Sequence, residues 1–120
     1  MFLMATEELL RRYKAGQRVF DDIKLPEQGS LRGAELAGII FTNSWVYWVD
    51  LRDADLRGAS FIDSNVKISD FRDADLRGAT FRGCVVCGSI WKGANLDNVV
   101  VEDTTYYGGA VEDMKDLEKL

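Results

Sequence analysis

Histidine is absent from this 120-residue sequence, proline occurs once, at Pro26, and cysteine twice, at Cys84 and Cys87. Without histidine there is no imidazole general base, no histidine-dependent triad and no imidazole metal ligand. No G-x-x-x-x-G-K-[ST] or G-x-G-x-x-G loop is present to cradle phosphate. No apolar run is long enough for a transmembrane helix. Met1-Phe2-Leu3-Met4 is too short for a signal-peptide core, and Glu7 and Glu8 follow at once. Met4 is a second candidate start, and the expected location is the cytoplasm. With 15 basic and 20 acidic residues the formal charge is −5. That balance argues against direct binding to nucleic acid or an anionic membrane, which need basic surface. The length suits one domain.

What the chain has instead is a beat. Asp50 to Phe61 returns twenty residues later as Asp70 to Phe81, and inside each copy runs a shorter period of five. The large apolar centres are Leu31, Leu36, Phe41, Val46, Leu51, Leu56, Phe61, Val66, Phe71, Leu76, Phe81, Val86, Trp91, Leu96, Val101, Tyr106 and Val111. Two residues before each centre comes a smaller residue, as at Ala54, Ala59, Ser64 and Ser69, with Ile39, Val49 and Val99 as bulky departures. Two residues after most centres stands Gly, Asn or Asp, the residues that tolerate positive φ. Trp48 and Ile68 alone break that rule. A period of five fits neither a helix nor a strand. Short repeats that cannot bury their own apolar face stack into a solenoid. Four fives to a turn place like over like: Ala34, Ala54, Ala74 and Ala94; Leu36, Leu56, Leu76 and Leu96. At about 4.8 Å per coil, the centres from Leu31 predict just over four coils. In this register Cys84 points inward and Cys87 outward, so the two are not expected to pair.

The run A(D/N)LxG, as in Ala54-Asp55-Leu56-Arg57-Gly58 and Ala74-Asp75-Leu76-Arg77-Gly78, with Ala94-Asn95-Leu96, resembles the pentapeptide-repeat proteins. The resemblance covers residues 20 to 111 and implies an all-β solenoid, a right-handed four-sided parallel β-helix. Some members of that family inhibit DNA gyrase by imitating duplex DNA, some act in bacterial differentiation, and most have no assigned activity. A shared scaffold does not carry function with it.

The expected organisation is an N-terminal capping helix in 1–17, an irregular first turn in 18–30, the β-helix in 31–111 and a C-terminal amphipathic helix in 112–120. Thr6 is the expected helix cap, with Glu7 and Glu8 in the first turn, Leu9, Leu10 and Tyr13 on the buried face and Gly16 as the stop. Phe20 and Leu25 are two early centres, after which the register slips by one across Pro26 to Ser30. Met114, Leu117 and Leu120 form the apolar stripe of the last helix, which either caps the coil or meets a second copy.

The outward residues sort onto four sides. One carries Asp50, Arg52, Asp70 and Arg72; the next carries Glu35, Asp55, Arg57, Asp75, Arg77, Asn95 and Asp97. Both read as a solvated lattice of alternating charge. A third shows Ile40, Ile62 and Val100 among polar residues. The last shows Trp45, Tyr47, Val85, Cys87 and Tyr107, with Trp48 and Ile68 at its edge. Aromatic residues concentrate at interfaces, and exposed apolar patches mark contact sites. The candidate interaction surface is therefore Trp45, Tyr47, Trp48, Ile62, Ile68, Val85 and Tyr107. The first functional reading is a non-enzymatic interaction or self-association scaffold, its partner a protein or a second copy. The second is a DNA-mimicking gyrase inhibitor, against which stand the short tube, the lack of an inserted loop and the balanced charge. The third is an enzyme using acid pairs such as Asp53/Asp73 or Asp55/Asp75, whose repetition by register already explains them. No cofactor, metal or catalytic residue is expected.

Overall fold

Every fifth residue points to a common axis and its second successor turns the chain. The result, in the computed structural model, is a right-handed, four-sided parallel β-solenoid of about five turns, measuring 34 × 25 × 22 Å. The structure describes residues 1–118; Lys119 and Leu120 lie outside the described residues. In chain order come β1 (Phe2–Leu3), α1 (Thr6–Lys14), β2 (Val19–Asp21), β3 (Ile23–Lys24), β4 (Ile40–Thr42), β5 (Ser60–Ile62), β6 (Thr80–Arg82), β7 (Val100–Glu102), β8 (Thr105–Tyr106) and β9 (Gly109–Ala110). A 3-10 turn, Met114–Leu117, follows. No helix is long and apolar enough to cross a membrane among the described residues.

The first side is a five-stranded parallel sheet, β2-β4-β5-β6-β7, in which Phe20, Phe41, Phe61, Phe81 and Val101 lie one above another. The other sides are ladders of single bridges. Lys24, Trp45, Asn65, Val85 and Thr105 mark the second side, Ser30, Asp50, Asp70 and Ile90 the third, and Glu35, Asp55, Asp75 and Asn95 the fourth. Leu56 and Leu76 are both wholly buried on the fourth side. Stacked rings fill the axis, with Phe61 on Phe81 at 4.7 Å and Phe71 on Trp91 at 4.3 Å, and Phe71 edge-on to Phe81 at 6.4 Å. Such offset and edge arrangements add to the burial of area. Trp91 Nε1 is the one buried side-chain polar atom among the described residues without a partner.

The early register slip is present: β2 pairs with β4 at a spacing of 21, whereas Ser30 pairs with Asp50 at 20. The irregularity is confined to 26–29, so β2 and β3 are regular rungs that add to the just over four coils counted from Leu31 and make about five turns. The chain also contributes a rung before its helix. Phe2 and Leu3 pair with Ile23 and Lys24, and Met4 is buried beneath Leu25. Helix α1 then crosses the open end with Leu9 fully buried, and the Tyr13 hydroxyl donates to Ala37 O at 2.6 Å. The residue before the helix is Ala5, with no side-chain cap; Thr6, expected as the cap, is its first residue and is buried. At the far end, β8 and β9 form an antiparallel hairpin, and Val111, Met114 and Leu117 fold inward. The spacing predicted an α-helix over 112–120. The described part is a single 3-10 turn, capped by Asp113, whose side chain accepts from Lys115 N at 2.9 Å. Buried at 0% and 5%, Met114 and Leu117 are spent on covering the last coil; Leu120 lies outside the described residues.

The corners are of two kinds. Between the third, fourth and first sides the small residue donates straight back across the turn, as Ala54 N to Leu51 O at 3.2 Å and Ala59 N to Leu56 O at 3.0 Å. On either flank of the second side a hydroxyl from the coil above is inserted into the turn. Ser69 Oγ accepts from Val49 N at 3.0 Å and donates to Val46 O at 2.7 Å. Ser89 Oγ does the same for Ser69 N and Val66 O, at 3.1 and 2.6 Å. Thr104 serves Cys84 N and Phe81 O, and Cys84 Sγ donates to Phe61 O at 3.1 Å. Where no hydroxyl stands above, the turn closes on itself: Gly29 N reaches Pro26 O beneath Val49, and Ser89 N reaches Val86 O at the top.

Candidate interaction surface

The corner between the second and third sides is a column of Gln28, Trp48, Ile68, Gly88 and Gly108, all at positive φ, of 61°, 56°, 61°, 73° and 80°. Glycine holds that conformation freely. For Trp and β-branched Ile it is strained, at roughly 1–2 kcal/mol each. Both side chains nevertheless stand in solvent, Trp48 40% and Ile68 46% exposed. Tyr107, at φ 47°, is the third bulky residue in this conformation and the most exposed, at 71%. Its backbone N–H donates to Cys87 Sγ at 2.8 Å, and a Cβ placed on Gly88 would come 3.4 Å from Ile68 Cγ1 and 3.8 Å from the Tyr107 hydroxyl. Trp48, Ile68 and Tyr107 therefore make one ridge, dipping at Gly88.

Beside the ridge runs a shallow groove of about 410 Å³. One wall is Trp48, Ile68 and Gly88; the other is the pairs Asp50/Arg52 and Asp70/Arg72, with Ile90 on the rung above Asp70. The sequence reading missed Ile90. Its signal was there, since it interrupts the Asp50, Asp70 column with an exposed apolar residue. On the second side, Trp45 lies 5.8 Å from Tyr47 with Lys24 over its other flank at 5.3 Å, and Val85 stands two rungs above Trp45. Of the residues singled out from the sequence, Trp45, Tyr47, Trp48, Ile68, Val85 and Tyr107 share this region. Ile62 does not: it is half-buried on the first side between Thr42 and Arg82, beyond the Asp63 corner.

The charged sides are organised within rungs more than between them. Arg52, Arg57, Arg72 and Arg77 each grip the Asp two residues before, with Nη2 to Oδ2 distances of 2.9, 2.7, 2.7 and 2.7 Å. Those hydrogen bonds hold the carboxyls of Asp50, Asp55 and Asp75 below the usual range. At Asp70 burial pushes upward, but the bonds from Arg72 outweigh it and the net shift is again down. A general acid needs the opposite displacement. Between coils the contacts are looser, with Arg52 Nε 3.8 Å from Asp70 and Arg32 Nε 3.3 Å from Asp53. No cluster of three metal-ligating side chains occurs among the described residues.

A family model described as pentapeptide repeats matches residues 50–86 with 8 copies. No curated protein matches the chain by sequence. Among solved structures, a pentapeptide repeat protein from the cyanobacterium Cyanothece 51142 is similar at 24% identity and a TM-score of 0.70, over 79% of this chain and 64% of that one. QnrB1, a plasmid-mediated fluoroquinolone resistance protein, is similar at 21% identity and a TM-score of 0.69, over 72% and 45%. A pentapeptide repeat protein from Nostoc Pcc 7120 is similar at 22% identity and 0.62, over 98% and 94%. The chain spans less than two thirds of the length of the first two. At these identities the likeness is one of fold.

Proposed function

We propose, from the premise that this chain is a pentapeptide-repeat protein, that it is a non-enzymatic protein-contact scaffold. Its contact surface is the ridge of Trp48, Ile68 and Tyr107, flanked by Trp45 and Val85. The observation that carries the reading is the placement of exposed Trp and Ile at positive φ, where every other regular corner of the coil is Gly, Asn, Asp or Gln. Strained backbone persists where function requires it, and an exposed side chain contributes little to folding in return. The test is the double variant Trp48→Gly, Ile68→Gly. Its urea midpoint is expected to equal or exceed that of the parent, while the partners retained by the immobilised parent are lost. A stability loss above about 2 kcal/mol, the scale of a core truncation, refutes the reading, as does unchanged retention.

The second reading is gyrase inhibition by imitation of duplex DNA, which the resemblance to pentapeptide-repeat proteins implies. A duplex mimic needs a face of uncompensated acid, and here Asp50, Asp55, Asp70 and Asp75 are each neutralised by their own arginine. A supercoiling assay is expected to show no inhibition.

A further inference from the structure

The ridge column runs large to nothing along its length. Trp48 stands one rung below Ile68 and Gly88 one rung above; beyond them come long Gln28 and bare Gly108. Turned about a two-fold axis through Ile68, perpendicular to the tube, the column becomes its own complement. Trp48 meets the partner's Gly88, Gln28 meets the partner's Gly108, and Ile68 meets its equivalent. We propose that the occupant of this ridge is a second copy of the same chain, in an antiparallel, isologous dimer with Ile68 on the axis. The proposal rests on the reading of the ridge as a contact surface.

Two further features fit. An isologous contact needs a patch that is complementary to itself, and the apolar residues beside the ridge are. The same rotation lays the second side of each copy towards the second side of the other, so Trp45, one rung below Asn65, approaches the partner's Val85, one rung above it. The dip at Gly88 is bounded by Ile90, 41% exposed, and by Tyr107, a seat with apolar walls for the indole. As to size, aromatic side chains bury about 150–250 Å² each. At the exposures observed, Trp45, Trp48, Ile68, Val85, Ile90 and Tyr107 offer roughly 500 Å² per copy on that scale. Two copies then remove about 1,000 Å² from water, the lower bound for a specific interface, so the dimer is a weak, reversible one.

Sedimentation velocity tests it. The parent is expected to shift from one to two chain masses between ~1 and ~200 µM, the range of a small interface. Ile68→Glu and Ile68→Lys are each expected to stay monomeric, and their equimolar mixture to regain the dimer, because the two residues meet on the axis. Ile68→Cys in a Cys87→Ser background provides an independent reading: a short bismaleimide is expected to cross-link it to a covalent pair. A parent that is monomeric throughout, an Ile68→Glu variant that still dimerises, or a charge-swapped mixture that stays monomeric overturns the proposal. The first of these leaves the ridge's own test, retention with unchanged stability in the double-glycine variant, to decide the broader reading separately.

Discussion

Replacing Ser69 by Ala removes one atom from a closed circuit. The Ser69 hydroxyl is fully buried and joins Val49 N–H, 3.0 Å away, to Val46 C=O, 2.7 Å away. These two groups are the ends of one corner. In the alanine corners the equivalent groups bond each other directly, as Ala54 N does to Leu51 O. The corner at 46–49 instead stands open around the hydroxyl, while Trp48 N is tied to Lys67 O above at 2.9 Å, as Asp53 N is to Arg72 O at 3.1 Å. At the two ends of the column, at 26–29 and 86–89, where no hydroxyl stands above, the same corner shuts on itself. Stranding a buried donor or acceptor costs about 1–3 kcal/mol. With two groups stranded and part of the loss relaxed, Ser69→Ala is expected to cost about 2–4 kcal/mol, a large share of the 5–15 kcal/mol typical of a domain. Urea unfolding with an unchanged m-value measures it. Ser69→Cys should lose less, since Cys84 already fills the same role, and Ser60→Ala on the half-buried outer rung should fall within about 0.5 kcal/mol. A loss below about 0.5 kcal/mol for Ser69→Ala refutes the bridging argument.

Two glycine corners are crowded by the aspartate beneath: a Cβ on Gly83 would fall 2.2 Å from Asp63 Oδ1, and one on Gly93 2.1 Å from Asp73 Oδ1, while Gly58 and Gly78 meet nothing within 4 Å. Gly83→Ala and Gly93→Ala should therefore destabilise more than the about 1 kcal/mol of backbone cost expected for Gly58→Ala, and their midpoints by urea should show it; removing the acid with Asp73→Ala should restore Gly93→Ala towards the Gly58→Ala value. Burial pushes the Cys84 thiol up to about 11, so at neutral pH an aromatic disulfide reagent is expected to titrate Cys87 promptly and Cys84 only on unfolding; two fast thiols sink this. The lowered carboxyls of Asp50, Asp55, Asp70 and Asp75 contribute stability that is whole above the unfolded value of about 3.9 and is lost as pH falls through their depressed folded values. Thermal midpoints should accordingly be flat through neutrality and drop only below about pH 4, with the drop shrinking when Arg57 and Arg77 are replaced.

The stack was legible in the sequence because the solenoid imposes one physical demand per position. Leu36, Leu56, Leu76 and Leu96 share a column, and each fills the same slot on the fourth side. The corners were legible as Gly, Asn and Asp because positive φ selects those residues. What was not legible is instructive in its causes. Alanine and serine were grouped as small, yet they close their corners by different hydrogen bonds, and only the relation to the residue twenty positions on separates them. Phe2 and Leu3 carry no repeat signature, since an edge rung needs a partner on one face only and Met4 alone reaches the axis. The final ten residues have helical spacing, but Asp113 caps a tight turn that swings Met114 over the last coil instead. Ile90 is hidden for a related reason: two successive rungs of its column, Asp50 and Asp70, are charged and gripped by arginine, and only the next rung departs.

The strained corners and the buried hydroxyls are one arrangement. Ser69 locks the two ends of the turn that carries Trp48, and Ser89 locks the two ends of the turn that carries Ile68. Residues in sparsely populated backbone regions persist only where their surroundings over-determine them, and these hydroxyls do so from within. The strain outside is thus held by hydrogen bonds inside, and the two must be coupled. A double-mutant cycle between Ser69→Ala and Trp48→Gly measures that coupling. With glycine at 48 the turn is free to tighten, Val49 N can reach Val46 O as in the alanine corners, and Ser69→Ala should lose much of its cost. The expected coupling is about 1 kcal/mol or more, above the ~0.3–0.5 kcal/mol scatter of independent sites. Additive losses would mean that the corner is shaped by its rungs alone and that the ridge is not held from the core.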